Sequence, residues 1–384
     1  MKRVLFITRH YLSDNNGGAN ATKGFVHAFA KLYDDLWVIY PEHDGEESCS
    51  YVPASCRLLP CYDHRSKIQK GLDVYRGRLH RLTDFVRNHL RKNGKYDIIV
   101  LDHSVTAASI LKDVIATGSK VVTIHHNVER DYLKDNMPPL AYRFPMLYYS
   151  KKAERNALLN SDLNLTLTKK DSETFKSWFP DKNLHLCDVG ICEYRGLPER
   201  TFDDKERKSN FIISGSLCFQ QSLEPIIDFV RIYYPVLKDV CPEATLTIAG
   251  RNPSGLLYEA CKPYGDIHIV PNPEDMSEVV WKSDVYICPI SAGSGIKLRL
   301  MDGLKEGKPV ICHHVSTYGY EALIKAGVIC EYADTESFKN ALCAMLDRHR
   351  NPVEDYQLFC DCFSVDKLAL RIDKAICQMS AEEK

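Results

Sequence analysis

The chain has 384 residues, of which 45% are hydrophobic and 26% charged, and its formal net charge is −1 at pH 7. This length is enough for two domains that each bury a core, and the composition excludes a disordered chain. A net charge near zero provides no global field to attract nucleic acid, so we predict no nucleic-acid partner.

The 15 cysteines lie singly along the chain, and none forms a Cys-x-x-Cys pair. Cys360 and Cys362 are the closest pair, but they lack the further partners that a zinc site requires. The first apolar run, Val4–Thr8, is too short for the core of a signal peptide, and no run approaches the length of a membrane span. We therefore expect a reduced, cytoplasmic protein with no metal site and no cofactor.

Short apolar runs alternate with helical segments along both halves of the chain. Predicted strands of the first half are Val4–Thr8, Leu36–Tyr40, Cys56–Pro60, Asp97–Leu101, Lys120–Ile124, Leu163–Leu167 and Leu184–Val189. Those of the second half are Asn210–Ser214, Ala244–Ala249, Ile267–Val270, Asp284–Pro289, Val310–Cys312 and Val328–Cys330. This alternation is typical of parallel sheets covered by helices on both faces, so it predicts an α/β fold.

The turn after the first strand contains Gly17 and Gly18 and leads into a helix predicted from about Ala21 to Lys31. Ligands of open α/β sheets bind beyond the carboxyl ends of the strands. Gly17 and Gly18 are therefore candidates for contact with a ligand, and a plain connecting loop is the alternative.

A helix is predicted over Lys67–Leu90, because apolar residues recur there at steps of four and three. Its flanks carry ten basic residues, namely Arg65, Lys67, Lys70, Arg76, Arg78, Arg81, Arg87, Arg91, Lys92 and Lys95. Such a flank is either an ordinary solvated face or an attachment site for an anionic membrane surface or a lipid diphosphate. The second interpretation predicts a protein that is peripheral at the inner face of the membrane.

A second cluster of polar residues follows the strand Lys120–Ile124, namely His125, His126, Asn127 and Glu129. Adjacent residues of a strand point to opposite faces, so at most one of the two histidines faces a ligand site. The alternative is a hydrogen-bonded loop. The segment Pro138–Tyr149, rich in aromatic residues and prolines, is expected to be a further loop.

The charged segment 193–209 is the predicted linker. It separates a first domain, residues 1–192, from a second domain, residues 210–363. The last residues, 364–384, are predicted to form a final helix.

The most informative stretch follows the strand Asp284–Pro289. Gly293, Ser294 and Gly295 form a turn, and a helix is predicted from Ile296 to its end at Gly307. A helix N-terminus suits a phosphate, and Lys297 and Arg299 add two cations in its first turn. Asp302 lies about two turns in, where it can accept hydrogen bonds from sugar hydroxyls. The alternative is a solvated basic turn on an ordinary helix.

With these residues in hand, the chain resembles the family-4 glycosyltransferases of the GT-B fold, in which two facing Rossmann-like domains enclose a cleft. The resemblance covers nearly the whole chain. The segments that carry it are Gly17-Gly18, His126–Glu129, Gly215-Ser216-Leu217, Pro242–Gly250, Ser283–Val285 and Gly293–Val310.

The resemblance implies transfer of a sugar from a nucleotide-sugar donor to a glycan or lipid-linked acceptor, with retention at the anomeric carbon, in the biosynthesis of surface polysaccharides or glycoconjugates. It places the donor mainly on the second domain and the acceptor mainly on the first, and the final helix crosses back to the first domain. The residues that it assigns to substrate are Gly17, Gly18, His126, Asn127, Glu129, Gly215, Ser216, Gly293, Ser294, Gly295 and Asp302.

Several positions depart from the family pattern. Ser294 and Asp302 stand where the family has two glutamates, and Ser216 and Gln221 stand where many members have an arginine and a lysine that neutralise the diphosphate. We expect Lys297 and Arg299 to replace that pair, with His126 as the third catalytic residue. The departures also allow a catalytically degenerate GT-B protein that binds a nucleotide sugar or a partner enzyme. Two further alternatives are a nucleotide-sugar epimerase and a membrane-surface adaptor.

Overall fold

The structure, a computed structural model, describes residues 2–43, 48–196, 209–218, 220–293, 295–348 and 351–381, without the side chains of residues 48, 49, 135, 220, 221 and 380. Two units are present, one made of Met1–Tyr194 with Phe363–Lys384 and the other of Arg195–Cys362. The division at Tyr194 falls within the predicted linker, and residues 197–208 of that linker lie outside the described residues.

The first unit contains a seven-stranded parallel sheet with the order β3-β2-β1-β4-β5-β6-β7. The strands are β1 Arg3–Thr8, β2 Asp35–Glu42, β3 Arg57–Tyr62, β4 Ile98–Asp102, β5 Lys120–His125, β6 Leu163–Thr166 and β7 Leu186–Asp188. The helices are α1 Gly17–Leu32, α2 Lys67–Tyr75, α3 Thr83–Asn93, α4 Leu111–Ile115, α5 Glu129–Asp135, α6 Leu140–Asn160 and α7 Lys169–Trp178. Every strand predicted for this half is present. The inner strands are short apolar runs buried on both faces of a parallel sheet, whereas the edge strands β3 and β7 are only partly buried.

The second unit contains a six-stranded parallel sheet with the order β10-β9-β8-β11-β12-β13. Its strands are β8 Asn210–Ser216, β9 Thr245–Arg251, β10 Ile267–Pro271, β11 Val285–Cys288, β12 Val310–His313 and β13 Ile329–Tyr332. Its helices are α8 Gln220–Asp228, α9 Tyr234–Val240, α10 Gly255–Cys261, α11 Met276–Trp281, α12 Leu300–Leu304, α13 Glu321–Lys325, α14 Thr335–Asp347 and α15 Pro352–Phe363. A π-helical turn, Phe229–Tyr233, joins α8 to α9. The α/β prediction is therefore confirmed for both units.

The last helix, α16 (Val365–Ala381), packs against α1 of the first unit. Lys31 of α1 lies 2.5 Å from the carboxylate of Asp366. Arg371 donates a hydrogen bond to the carbonyl of Val189, next to the end of β7. These contacts attach the end of the chain to the first unit.

The prediction of one helix over Lys67–Leu90 is wrong. The chain turns at Gly77, whose φ of 74° lies in the left-handed region. A Cβ at this position would lie 2.7 Å from the ring of Tyr149, so both the backbone conformation and the space favour glycine. The apolar residues before the turn, such as Ile68, are exposed, whereas those after it, such as Leu82, are buried.

Several basic residues of this segment are also less available to a membrane than the sequence suggests, because they form ion pairs. Arg65, Lys70 and Arg81 all have side-chain nitrogens within 4.0 Å of the carboxylate of Asp63. These ion pairs neutralise part of the positive charge that the membrane interpretation relied on.

The prediction of a loop over Pro138–Tyr149 is also wrong, because α6 begins at Leu140 and continues to Asn160. Pro145 has no backbone N–H, so it cannot donate the helical hydrogen bond to the carbonyl of Ala141. That carbonyl instead accepts a hydrogen bond of 2.5 Å from the hydroxyl of Tyr75. A proline inside α6 thus creates the acceptor that holds the end of α2.

Two helix starts were predicted at the wrong residue. The first helix begins at Gly17 instead of Ala21, because the Asn16 side chain accepts the backbone N–H of Ala19 and caps it. In the second unit, α12 begins at Leu300 instead of Ile296. The N–H groups of Leu300, Met301 and Asp302 bond to carbonyls three residues back, which is the tighter 3-10 pattern.

Candidate functional site

In the first unit, three polar residues end three neighbouring strands. Thr8 ends β1, Asp102 ends β4 and His125 ends β5, and Thr8 pairs directly with Asp102 across the sheet. The strand order reverses between β1 and β4, and ligands of such sheets bind at that point, beyond the carboxyl ends of the strands.

Asp102 is fully buried, and its carboxylate is held by three side chains that fix its orientation. One oxygen, Oδ2, accepts from the hydroxyls of Thr8 (2.7 Å) and Thr22 (2.6 Å), and Oδ1 lies 2.7 Å from Nε2 of His126. Burial alone would raise the pKa of Asp102, but the charge and hydrogen bond of His126, together with His10 and the hydroxyl of Thr22, outweigh burial and hold that pKa well below its usual range. Because Asp102 is ionised, Nε2 of His126 carries a proton, and its Nδ1 is left as a hydrogen-bond acceptor when the ring is neutral.

His10 connects the Asp102–His126 pair to the two glycines at the start of α1. Its ring stacks on that of His126 with centroids 5.5 Å apart, and a Cβ on Gly18 would lie 2.5 Å from the same ring. Nε2 of His10 is buried and has no hydrogen-bond partner among the described residues. Burial, followed by the charge of His126, lowers the pKa of His10, so the ring is neutral at pH 7. The structure therefore places Gly18, which follows Gly17 at the start of α1, against His10, and His10 in turn stacks on His126.

The loop after His126 is held by a chain of hydrogen bonds. The amide of Asn127 donates to Oε1 of Glu129 (3.1 Å), and Nε2 of His103 lies 3.0 Å from the same oxygen. Burial would raise the pKa of Glu129, but the charge and hydrogen bond of His103, together with the charges of Arg9 and His126, outweigh burial and lower that pKa. The backbone N–H of Glu129 donates to the buried Glu154, whose pKa burial raises to about 8. Asn127 and Glu129 thus bond to each other and to the fold, which is the arrangement of a rigid loop.

His125 makes separate contacts. Its Nε2 lies 3.0 Å from Oδ1 of Asn164 on β6, and its ring packs against Phe175 of α7. Burial lowers the pKa of His125 to about 4. Its interactions are those of a neutral core residue, whereas His126 bonds to Asp102.

In the second unit, Arg299 lies against the end of β8. A Cβ on Gly215 would lie only 2.3 Å from Cζ of Arg299, and Gly215 has a φ of 137°. Only glycine tolerates that conformation and leaves room for the guanidinium group. The two residues, predicted from separate motifs, are therefore in direct contact.

The guanidinium group of Arg299 is only partly bonded. Its Nη2 donates to Oγ of Ser222 at 3.2 Å, whereas Nη1 is buried and has no hydrogen-bond partner among the described residues. A buried donor without an acceptor is costly and rare in folded proteins, and an anion would supply the missing acceptor. This arrangement points to a binding site for a negatively charged group.

The glycine turn and Lys297 are also brought together. Gly293 and Gly295 have φ values of 97° and 72°, so both need the left-handed region. A Cβ on Gly293 would lie 2.9 Å from Nζ of Lys297, whose carbonyl accepts a hydrogen bond from the hydroxyl of Tyr320 (2.9 Å). Ser294, between the two glycines, lies outside the described residues.

The remaining predicted residues lie nearby in the same unit. The carboxylate of Asp302 is 3.4 Å from Nη2 of Arg195, and the charges of Asp302 and Arg299 both act on the buried hydroxyl of Tyr286. Ser216, at the end of β8, lies 3.4 Å from the sulfur of Cys218. The side chain of Gln221 lies outside the described residues. In the described ranges, no group of three or more His, Cys, Asp or Glu residues is arranged to hold a metal ion, and the absence of a metal stays a prediction.

Sequence reasoning missed His10, Asp102 and His103 as members of the cluster around His126. A signal was available, because Thr8, Asp102 and His125 follow or end strands that the alternation predicts to be parallel neighbours. His10 gave no such signal, since its position depends on how the turn before α1 folds back.

The comparisons with known proteins agree with this description. The family described as "Glycosyl transferases group 1" matches residues 210–348. An uncharacterized 44.6 kDa protein in the cps region of Klebsiella pneumoniae is 22% identical over 309 residues, which is 74% of this chain and 75% of that protein.

Among solved structures, Anabaena HepE in complex with UDP has a TM-score of 0.67 at 12% identity, covering 98% of this chain and 100% of that one. HepE has also been solved with UDP-glucose. WaaG, a glycosyltransferase involved in lipopolysaccharide biosynthesis, has a TM-score of 0.63 at 14% identity, covering 96% and 98% of the two chains. The predicted resemblance is confirmed: the chain has the GT-B fold, and its residues 210–348 match the glycosyl transferases group 1.

Proposed function

We propose that the protein transfers a sugar from a nucleotide-sugar donor to a hydroxyl group of a glycan or lipid-linked acceptor, with retention of the anomeric configuration, in surface polysaccharide or glycoconjugate biosynthesis. The family match and the GT-B fold support the sugar transfer. The HepE complexes with UDP and UDP-glucose support a nucleotide-sugar donor, and the cps-region relative supports the role in polysaccharide biosynthesis.

The observation that carries the proposal is the buried Nη1 of Arg299, which has no acceptor among the described residues. Under the proposal, a diphosphate oxygen is that acceptor, and Lys297 adds a second cation beside the glycine turn. Asp302 accepts hydrogen bonds from the ribose. Stabilising the negative charge of the departing nucleoside diphosphate is the main catalytic contribution of these groups.

The first unit binds the acceptor in this proposal. Because Asp102 holds the proton of His126 on Nε2, Nδ1 is the ring atom that remains for a hydrogen bond with a hydroxyl group of the sugar or the acceptor. The acceptor oxygen forms a bond to the anomeric carbon while the bond from that carbon to the phosphate oxygen breaks. The leaving phosphate takes the proton of the acceptor, so no side chain needs to act as a base.

The first experiment measures UDP binding by calorimetry, with uridine as the ligand that lacks the diphosphate. We expect UDP to bind more tightly than uridine, and Arg299→Gln to remove most of that difference. Arg231→Gln is the matched control, because Arg231 is an exposed arginine of the same unit on the π-helical turn. GDP, ADP and CMP complete the series. If none of the four nucleotides binds, the degenerate protein that binds a partner enzyme is favoured.

Retention is tested on the product. The coupling constant of the anomeric proton distinguishes the α from the β configuration by NMR, and comparison with the donor shows whether it is kept. An inverted product would leave the nucleotide site intact but would require a base in place of the leaving phosphate.

A further inference from the structure

The first unit exposes large apolar side chains on two neighbouring helices. On α2 they are Ile68, Leu72 and Tyr75, and on α6 they are Leu140, Phe144 and Tyr148. Leu140 and Phe144 are 81% and 79% exposed, and Ile68 is 76% exposed. Exposed apolar groups are ordinary when they occur singly, but a set on adjacent helices marks an interaction site. We call these six residues the α2/α6 surface.

The spacing puts each set on one face of its helix. Ile68, Leu72 and Tyr75 follow one another at steps of four and three, and Leu140, Phe144 and Tyr148 follow at steps of four. Neither stripe is covered by the rest of the unit. An apolar stripe that would normally pack on the core is therefore turned outward on both helices.

The two helices are fastened to each other, so the surface is preformed. The hydroxyl of Tyr75 bonds to the carbonyl of Ala141, and the hydroxyl of Tyr149 donates to the carbonyl of Tyr75 at 3.1 Å. The ring of Tyr142 stands edge-on to that of Tyr75, and its hydroxyl lies where a Cβ on Gly71 would meet it.

The charged residues around the α2/α6 surface indicate which kind of partner it binds. The exposed cations on these two helices and at the end of α2 are Lys67, Lys70, Arg76, Lys151, Lys152 and Arg155. The acidic residues of the two helices are Asp73 and Glu154, and both are buried. The surface is thus apolar with a positive border, which complements a layer of anionic lipid head groups above hydrocarbon.

We propose that the α2/α6 surface docks the first unit on an anionic lipid bilayer. Leu140, Phe144 and Ile68 enter the boundary between head groups and acyl chains, while Lys67, Lys151 and Lys152 stay among the head groups. Within the described residues no helix is long and apolar enough to cross a bilayer, so this attachment is to one face. The inference does not depend on the proposed sugar transfer.

The test is co-sedimentation with vesicles of phosphatidylcholine alone and of phosphatidylcholine containing about one third phosphatidylglycerol. We expect the protein to bind the anionic vesicles, and Ile68→Ser/Leu140→Ser/Phe144→Ser to reduce that binding at least roughly tenfold, because each serine removes apolar area from the boundary. The matched control is Leu256→Ser/Val353→Ser/Leu370→Ser, whose residues are exposed by 66%, 58% and 63% elsewhere on the chain.

A second set of variants tests the charges. Lys67→Glu/Lys151→Glu/Lys152→Glu should abolish the preference for anionic over neutral vesicles, whereas Lys182→Glu/Lys325→Glu/Lys339→Glu, at other exposed lysines, should keep it. UDP binding of all variants should be unchanged, which separates failure of this proposal from failure of the proposed function.

Three results would overturn the proposal. They are no binding of the unmodified protein to either vesicle, equal loss of binding in the α2/α6 and control variants, and light scattering that shows a dimer which the α2/α6 serine variant converts to monomers. The last result would mean that a second copy of the chain occupies the surface.

Discussion

Nε2 of His126 lies 2.7 Å from Oδ1 of Asp102, and the other oxygen of that carboxylate is held by the hydroxyls of Thr8 and Thr22. The aspartate ends β4, the threonine hydroxyls come from β1 and α1, and the histidine follows the last residue of β5. Three neighbouring elements thus fix one imidazole ring. Such a ring keeps the same tautomer and the same orientation when a substrate arrives.

Asp102→Asn tests whether the tautomer of His126 matters. The amide keeps the shape of the carboxylate and its contacts with the threonines, but its NH2 group then faces His126 and moves the ring proton to Nδ1. We expect sugar transfer to slow by roughly 10²-fold, the range of a lost positioned proton donor or acceptor. UDP affinity should stay unchanged, because Asp102 belongs to the first unit.

The control for this variant is Asp188→Asn, since Asp188 is an exposed aspartate at the end of β7. Turnover and circular dichroism are measured for both variants. Normal turnover of a folded Asp102→Asn protein would show that the Asp102–His126 pair is only structural.

Gly215→Ala tests the contact between β8 and Arg299. The new Cβ would lie 2.3 Å from Cζ of Arg299, so the guanidinium group must move, and the φ of 137° adds strain of about 1–3 kcal/mol. We expect UDP affinity to fall at least roughly tenfold, equivalent to about 1.4 kcal/mol. Calorimetry gives the affinity, and thermal unfolding shows whether the variant is folded.

Gly255→Ala is the control, because a Cβ at Gly255 meets no atom within 4 Å. It should bind UDP as the unmodified protein does. If the two alanine variants bind UDP equally well, Arg299 is not the diphosphate ligand.

Tyr75→Phe tests the hydrogen bond that Pro145 makes available. The variant keeps the aromatic ring but leaves the carbonyl of Ala141 without its partner hydroxyl, so we expect the free energy of unfolding to fall by about 0.5–1.5 kcal/mol. Tyr258→Phe is the control, since Tyr258 is also partly exposed. Urea unfolding measures both.

A double-mutant cycle sharpens this test. Pro145→Ala supplies a backbone N–H that can bond to Ala141 in the ordinary helical pattern, so Tyr75→Phe should then have a smaller effect. Equal effects of Tyr75→Phe with and without Pro145 would contradict the explanation.

The strands were predictable because a parallel sheet buries both faces, which leaves short apolar runs in the sequence such as Val4–Thr8 and Asp284–Pro289. Periodicity failed where one residue changes the course of the chain. The apolar pattern of Lys67–Leu90 continues through Gly77, yet the left-handed conformation of that glycine turns half of the pattern outward. Periodicity alone therefore cannot tell an exposed apolar stripe from a buried one.

The candidate site was predictable only in part. Gly215, Gly293 and Gly295 could be singled out because their positive φ values reflect backbone geometry that other residues rarely adopt. The contact of Gly215 with Arg299 could not be predicted, because it joins residues far apart in sequence. The contact of His10 with His126 could not be predicted either, because it depends on how the turn before α1 folds.

Glu154→Gln tests the buried carboxyl behind the His126 loop. Burial raises the pKa of Glu154 to about 8, above the value of about 4.5 for an exposed glutamate. The folded protein therefore holds a proton that the unfolded chain releases, so the free energy of unfolding is highest below about pH 4.5 and falls as pH rises toward 8.

Glutamine keeps the acceptor for the N–H of Glu129 but has no proton to lose. We expect the variant to be more stable than the unmodified protein at pH 8.5, by at most about 5 kcal/mol. Urea unfolding from pH 5.5 to 9 measures the difference, with the exposed Glu173→Gln as the control. A difference between Glu154→Gln and the unmodified protein that does not grow with pH would show that Glu154 is ionised in the fold.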